Sequence, residues 1–255
     1  MPLSHTAYGS GSDVIILHGL FGSARNWASV AKALSAHHHV HALDLRNHGE
    51  SFWADSMGYD EMADDLRRFM LARHLSGAAV IGHSMGGKVA MMLALHDPHL
   101  VGRLLVADIA PASYGHTFAD YVAAMRAVDL GSVARRSEVD GLLGAAIPEP
   151  GVRAFLLQNL VNAPDGLRWR VNLDALAAGM VEIGDFPAIH PAQSYLGPTL
   201  FLAGGKSDYI EPHHHGLIHR LFPRARIATL PGAGHWLHAE QPQAFIAAAR
   251  DFLDG

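Results

Sequence analysis

The chain has 255 residues, of which 49% are hydrophobic and 17% are charged, and it contains no cysteine. This composition indicates a globular protein of one large domain or two small ones, and it excludes thiol nucleophiles, cysteine zinc sites and disulfides. The formal net charge of −5, without a basic stripe, argues against a nucleic-acid partner or a polybasic membrane anchor.

The first six residues have neither a basic start nor an apolar run, so no signal peptide is expected. The longest apolar stretches are far shorter than the roughly 20 residues of a membrane span. We therefore expect a cytoplasmic protein that has no membrane partner.

Short apolar runs alternate with helix-length segments along most of the chain. The runs lie at residues 14–17, 40–43, 78–81, 104–107, 199–203 and 226–230. Helices are predicted at 60–74, at 85–96 and from Pro242 to Phe252. Continuous apolar runs are typical of strands that are buried on both faces. Strand alternating with helix predicts an α/β protein with a doubly wound, parallel sheet.

One long segment breaks this alternation. Residues 113–190 contain helical patterns, such as 119–128 and 151–161, but no convincing strand. We predict a core domain of residues 1–112 and 191–255 and a helical cap or lid at 113–190. A segment that leaves the carboxyl edge of a sheet lies where α/β proteins place ligands, which favours a lid over a structural appendage.

The strongest chemical motif is Gly82-His83-Ser84-Met85-Gly86-Gly87. It is a G-x-S-x-G sequence directly after an apolar run and directly before an apolar helix. A serine at such a sharp turn has an exposed hydroxyl, and the N–H groups of the following helix point at a developing anion. Ser84 is therefore predicted to be a nucleophile.

A serine nucleophile needs a base, and the chain has 19 histidines from which to choose. Position selects His235, because Gly232-Ala233-Gly234-His235-Trp236 follows the last predicted strand. An acid between the two in the chain would give the order Ser…Asp…His, which is typical of α/β-hydrolases.

With these motifs, the chain resembles the α/β-hydrolase superfamily over essentially its whole length, and within it a group of small esterases. The resemblance rests on six blocks, which are residues 18–23, 44–51, 82–88, 108–111, 169–173 and 234–236. It implies the α/β-hydrolase fold, with a doubly wound, mostly parallel sheet and a helical lid inserted after the sixth strand. It also implies an oxyanion hole formed by the backbone N–H groups of Leu20 and Met85, with Phe21 as the alternative to Leu20.

Two aspartates are candidates for the acid of a catalytic triad. Asp208 follows the late strand, where most α/β-hydrolases carry their acid. Asp108 ends the strand after the nucleophile helix, and the similar esterases have their assigned acid at that position. The resemblance to these esterases favours Asp108 as the acid, with Asp208 as the alternative.

Five aromatic residues are candidates to line the acyl pocket, with core packing as the alternative for each. They are Phe21, Trp236, Phe118, Tyr121 and Trp169. Two histidine runs, 37–39 and 213–215, look like metal ligands. Three successive side chains fan apart on a helix, and only alternate ones share a face on a strand, so we expect no metal site.

The sequence therefore predicts a serine hydrolase that cleaves carboxylic esters of small to medium acyl chains, without a cofactor. An acyl thioesterase with the same triad is the nearest alternative, and a non-catalytic hydrolase-like binding protein is a remote one. The expected partner is a small-molecule ester or thioester, and both a monomer and a homodimer are compatible with the sequence.

Overall fold

A computed structural model describes residues 2–115, 118–164 and 166–255. The three undescribed internal positions fall in the predicted lid at 113–190. At these three positions, the prediction of a lid lies outside the described residues.

The described residues form nine strands and eleven α-helices. The strands are β1 (His5–Tyr8), β2 (Ser12–Leu17), β3 (His38–Leu43), β4 (Ala78–His83), β5 (Val101–Ala107), β6 (Leu160–Ala163), β7 (Gly166–Trp169), β8 (Thr199–Gly204) and β9 (Ala225–Leu230). The helices are α1 (Ala28–Leu34), α2 (Tyr59–Ala72), α3 (Met85–His96), α4 (Ala119–Ala127), α5 (Arg136–Leu143), α6 (Pro150–Leu156), α7 (Leu173–Ala178), α8 (Met180–Gly184), α9 (His215–Leu221), α10 (Leu237–Glu240) and α11 (Pro242–Asp254).

Seven of the described strands form one sheet in the order β1-β3-β2-β4-β5-β8-β9. All neighbouring pairs are parallel except β1 and β3, which are antiparallel. The prediction of a doubly wound, mostly parallel sheet is therefore confirmed. The central strands are buried on both faces, as their continuous apolar runs predict.

Two apolar layers cover the sheet. One face packs against α2, α3 and much of the 113–190 segment, and the other packs against α1 and α11. Helix α3 is buried along its whole length up to Leu95, because it lies between the sheet and α2. This burial holds the start of α3, next to Ser84, in a fixed position.

Because the central strands are parallel, their carboxyl ends lie at one edge of the sheet. Leu20 follows β2, Ser84 follows β4, Asp108 follows β5 and His235 follows β9. The fold thus brings residues that are far apart in sequence to the same edge.

Three details of the sequence prediction were wrong. The 113–190 segment follows β5, the fifth strand, rather than the sixth, because only one antiparallel strand precedes the parallel ones in the described chain. The same segment also contains an antiparallel hairpin of β6 and β7. The helix predicted at 151–161 ends at Leu156, where a 3-10 turn leads into β6.

Among the described residues, no helix is both long enough and apolar enough to span a lipid bilayer.

Candidate active site

Ser84 lies at a sharp turn between β4 and α3. Its backbone has φ 51° and ψ −121°, a conformation that costs energy for a residue with a side chain. A Cβ atom at Gly82 would lie 2.3 Å from the carbonyl oxygen of Gly86, and one at Gly86 would lie 2.5 Å from that of His18. Both positions therefore require glycine, and the turn holds the Ser84 hydroxyl above the sheet edge.

Ser84, His235 and Asp108 form a chain of two hydrogen bonds. The Oγ of Ser84 lies 3.0 Å from Nε2 of His235, and Nδ1 of His235 lies 2.8 Å from Oδ2 of Asp108. An ionised carboxylate only accepts hydrogen bonds, so Nδ1 carries the imidazole proton. Nε2 is then the acceptor for the Ser84 hydroxyl, which is the arrangement that a general base needs.

The two candidate acids have different surroundings. Asp108 is fully buried, and its Oδ1 accepts a 2.7 Å hydrogen bond from the Gly204 N–H. Its Oδ2 also accepts from the Ser207 hydroxyl. Asp208 is exposed and makes no hydrogen bond to His235. The structure thus brings Asp108, and not Asp208, to the histidine.

Two further side chains hold His235 in place. The ring of Tyr209 stacks on the imidazole with centroids 4.0 Å apart and an interplanar angle of 24°. His83 Nε2 donates a 2.8 Å hydrogen bond to the His235 carbonyl oxygen. Burial keeps the pKa of His83 well below its usual range, so this ring is neutral and acts as a fixed donor.

A backbone N–H group that already donates a hydrogen bond is less available to an oxyanion, which separates the candidate donors. The Phe21 N–H already donates to Nε2 of His48 at 3.2 Å, which favours Leu20 over Phe21 as the second donor. In the described residues, the N–H groups of Leu20 and Met85 have no hydrogen-bond acceptor. Leu20 and Ser84 line the same cleft, and Met85 begins α3 beside the nucleophile.

Two buried histidines shape the loop that carries Leu20. His18 Nε2 accepts a 3.0 Å hydrogen bond from the Leu45 N–H, and the rings of His18 and His48 are 5.0 Å apart. Burial lowers the pKa of His18 to about 4 and that of His48 to about 3. Both rings are therefore neutral near pH 7, and their Nε2 atoms serve as fixed acceptors for backbone N–H groups.

A cleft opens on one side of Ser84, and its volume of about 540 Å³ includes its opening to solvent. Four of the five predicted pocket aromatics line it, namely Phe21, Phe118, Tyr121 and Trp236. Phe155 and Val152 of α6 complete the apolar wall, so part of the 113–190 segment faces the nucleophile. Among the described residues, the cleft holds no group of three metal-ligating side chains.

Trp169 does not line this cleft and instead packs against the hydrophobic core, which was the alternative for this residue. It is the last residue of β7 and faces an outer groove together with Trp53 and Met125. In the β6–β7 hairpin, Trp169 pairs with Leu160.

A second, smaller cavity also borders Ser84, and its volume of about 400 Å³ includes its opening to solvent. Its most unusual residue is Lys88, whose ammonium group donates to the carbonyl oxygens of Ile183, Gly184 and Asp185, at 3.0 Å for Gly184. Burial lowers the pKa of Lys88 to about 7. The side chain thus joins α3 to the end of α8 and forms one wall of the cavity.

Sequence reasoning missed Lys88, Tyr209, Ser207 and Phe155. Lys88 belongs to the 82–88 block that carries the family resemblance. The sequence of this block does not reveal that the Lys88 side chain reaches the end of α8. Ser207 and Tyr209 flank Asp208 in the same loop, so their position after β8 was the available signal.

The chain is similar to known hydrolases in both sequence and structure. The model of a family described as "Alpha/beta hydrolase family" matches residues 14–249. The chain is 43% identical to the mouse (Mus musculus) sn-1-specific diacylglycerol lipase ABHD11 over 248 residues, which cover 94% of this chain and 80% of that protein. It is 36% identical to esterase YbfF of Escherichia coli, with 95% of this chain and 93% of that protein covered.

Among solved structures, the fold is similar to that of a protein described as a marine microorganism esterase. The two share 39% sequence identity and a TM-score of 0.95, and the match covers 99% of each chain. The likeness therefore extends over the 113–190 segment as well as the sheet.

Proposed function

This chain belongs to the alpha/beta hydrolase family, and from that premise we propose that it is a carboxylic ester hydrolase with Ser84 as the nucleophile, His235 as the base and Asp108 as the acid of the triad. The observation that carries the proposal is the unbroken pair of hydrogen bonds, 3.0 Å and 2.8 Å long, from Ser84 through His235 to Asp108. The esterase and lipase names of its relatives support this reaction class.

In the first step, Ser84 Oγ attacks the carbonyl carbon of the ester while His235 Nε2 takes the hydroxyl proton. The N–H groups of Leu20 and Met85 donate to the oxyanion, and each such donor typically lowers the barrier by about 3–4 kcal/mol. His235 then returns the proton to the leaving alkoxide, the bond between carbonyl carbon and alkoxy oxygen breaks, and the acyl group stays on Ser84.

In the second step, His235 Nε2 removes a proton from a water molecule that attacks the acyl carbonyl. The collapse of this second tetrahedral intermediate releases the carboxylic acid and returns the proton to Ser84 Oγ. Asp108 accepts from Nδ1 throughout, which keeps the ring in one orientation and stabilises the imidazolium when it forms. Because Asp108 is fully buried and already accepts from Gly204, it is held in place before substrate binds.

We infer that the aromatic cleft takes the acyl group and that acyl chains of small to medium length fit best. Its volume of about 540 Å³ includes its opening to solvent, and its walls are mainly apolar. Val152, Phe155 and Tyr121 from the 113–190 segment bound the cleft, which supports the role of this segment as a lid. The second cavity, beside Met85 and Lys88, would then take the leaving alcohol.

The test is the kcat/KM for p-nitrophenyl esters from acetate to palmitate. We expect a maximum at short to medium chains and a loss of at least about a thousandfold in Ser84→Ala. Ser132→Ala, at an exposed serine of the 113–190 segment, serves as the matched control and should retain full activity. A maximum at palmitate would contradict the proposed acyl size, and turnover that survives in Ser84→Ala would contradict the nucleophile.

The thioesterase alternative differs only in the leaving group, because both reactions pass through the same acyl-enzyme. It is tested by comparing kcat/KM for an ester and a thioester that carry the same acyl group. The ester proposal predicts the higher value for the ester, and a thioester value at least tenfold higher would assign the protein to thioester hydrolysis instead.

A non-catalytic binding role is the remote alternative. It does not require Ser84 and His235 to be hydrogen-bonded, whereas in this chain they are. Measurable turnover of p-nitrophenyl acetate that requires Ser84 would exclude it.

A further inference from the structure

Three metal-ligating side chains converge at the end of the sheet opposite Ser84. Asp13 is near the start of β2, and His39 and His41 are on β3. In the parallel register of these strands, Asp13 pairs with His39 and Ile15 pairs with His41. Side chains two residues apart on a strand share a face, so all three ligand groups lie on the same side of the sheet.

The ligand atoms are close together. Oδ1 of Asp13 lies 2.9 Å from Nδ1 of His39 and 3.1 Å from Nε2 of His41. All three atoms lie within 4.8 Å of one another. Ligand atoms around a tetrahedral zinc ion are about 3.3 Å apart, given metal–ligand distances of about 2.0–2.1 Å. Small side-chain rotations would therefore open a metal position between them.

Burial fixes one ligand and leaves an approach for the ion. The His41 side chain is only 5% exposed, and among the described residues Asp13 is the hydrogen-bond partner of its Nε2. His39 and Asp13 are 37% and 32% exposed. An ion could therefore enter from the side of His39 and Asp13, where water can supply the fourth ligand.

We propose that Asp13, His39 and His41 bind one divalent transition-metal ion of the zinc type. Two imidazole nitrogens and one carboxylate oxygen suit Zn²⁺, Ni²⁺ or Cu²⁺, whereas Mg²⁺ and Ca²⁺ need more oxygen ligands. On binding, each imidazole ligates through the nitrogen that faces Asp13 and carries its proton on the other ring nitrogen, so the imidazoles change tautomer. The ion would join β2 to β3 and stabilise the fold without touching the catalytic groups.

This site shares only His39 with the two histidine runs, 37–39 and 213–215, that stand out in the sequence. His38 is the residue before His39 on β3, and its Nδ1 bonds instead to the Ser12 hydroxyl at 2.8 Å. Alternation along the strand thus separates His38 from the cluster and pairs His39 with His41. The sequence expectation of no metal site considered only successive histidines and did not include Asp13.

The experiment is a titration of metal-free protein with Zn²⁺ in competition with a chromophoric chelator. It compares the unmodified chain with His39→Asn, Asp13→Asn and the control His213→Asn. The control removes an exposed imidazole that is also near a carboxylate, at 3.5 Å from Glu211, but belongs to no three-ligand cluster. Circular dichroism checks that each variant is folded, and His39 is exposed enough for its replacement to be tolerated.

We expect one Zn²⁺ per chain in the unmodified protein and in His213→Asn, with affinity at least about tenfold weaker in His39→Asn and Asp13→Asn. Zinc should raise the Tm of the unmodified protein and of His213→Asn. It should leave the Tm of His39→Asn and Asp13→Asn unchanged. Equal affinity in all four proteins, weakening in His213→Asn, or saturation only at millimolar zinc would mean an adventitious ion only and would overturn the proposal.

Discussion

At the scale of single residues, Asp108 and Asp208 carry the same carboxylate but differ in burial and partners. Asp108 is fully buried and accepts from His235, Gly204 and Ser207, whereas Asp208 is exposed. A buried carboxylate with several donors is held in one orientation, which lets it fix the tautomer of the histidine.

We therefore expect Asp108→Asn to lower kcat by a factor on the order of 10²–10⁴, because an amide at this position can present an N–H to Nδ1 and favour the wrong tautomer. Asp208→Asn, the matched control in the loop after β8, should change kcat less than about twofold. Steady-state kinetics on p-nitrophenyl acetate measure both. Equal losses in the two variants would contradict a single dedicated acid.

Some residues of the candidate site could be predicted from the sequence, and others could not. Ser84 and His235 could be predicted because a glycine-flanked turn and a glycine-rich loop after the last strand have strict local requirements. The stacking of Tyr209 on His235 could not, because it depends on how two separate loops meet. The sequence left pocket lining and core packing open for Trp169 for the same reason, since its surroundings depend on how the 113–190 segment packs.

At the scale of elements, the sheet was largely predictable because its strands are continuous apolar runs. Helix α3 was predicted at its observed bounds, and six strands of the sheet were predicted to within a few residues, namely β2, β3, β4, β5, β8 and β9. The missed β1 is a four-residue edge strand with no apolar run, and β6 and β7 are equally short and partly exposed. The sequence Pro164-Asp165-Gly166 consists of residues that favour turns, and it could have indicated the hairpin of β6 and β7.

The close packing around the turn at Ser84 leads to a prediction for Gly86. In Gly86→Ala, the new Cβ would lie 2.5 Å from the His18 carbonyl oxygen, so the loop toward Leu20 or the start of α3 must move. We expect a loss of about 1–3 kcal/mol in the free energy of unfolding, together with reduced kcat. Thermal and urea unfolding measure the first effect.

Gly216→Ala provides the matched control, because a Cβ at Gly216 in α9 would meet nothing within 4 Å. Alanine is the better helix former, so this variant should be as stable as the unmodified chain or up to about 1 kcal/mol more stable. Similar destabilisation in both variants would show that the close contact with the His18 carbonyl oxygen does not cause the loss of stability in Gly86→Ala.

At the scale of the whole molecule, several histidines are buried in the neutral form. Burial lowers the pKa of His18 to about 4 and the pKa of His48 and His238 to about 3. In the unfolded chain these groups would titrate near the ordinary value of 6.5. As the pH falls below about 6.5, the unfolded state takes up protons that the native state does not, so stability must decrease.

We expect each such imidazole to cost up to about 1.4 kcal/mol per pH unit between about pH 6.5 and pH 4. His238→Phe should reduce this slope while keeping an aromatic ring against Trp27, on which His238 stacks at 4.1 Å. The exposed His213→Asn should leave the slope unchanged. Urea unfolding at pH 7 and pH 5 measures the difference, and a slope in His238→Phe identical to that of the unmodified chain would contradict this explanation.

The most direct test of the central claim is labelling by a serine-directed phosphonate, followed by intact-mass and peptide mass spectrometry. The account predicts one adduct per chain, located on Ser84, formed equally in the unmodified protein and in Asp208→Asn and absent in Ser84→Ala. An adduct that persists in Ser84→Ala, or none in the folded unmodified protein, would show that Ser84 is not the activated nucleophile of this enzyme.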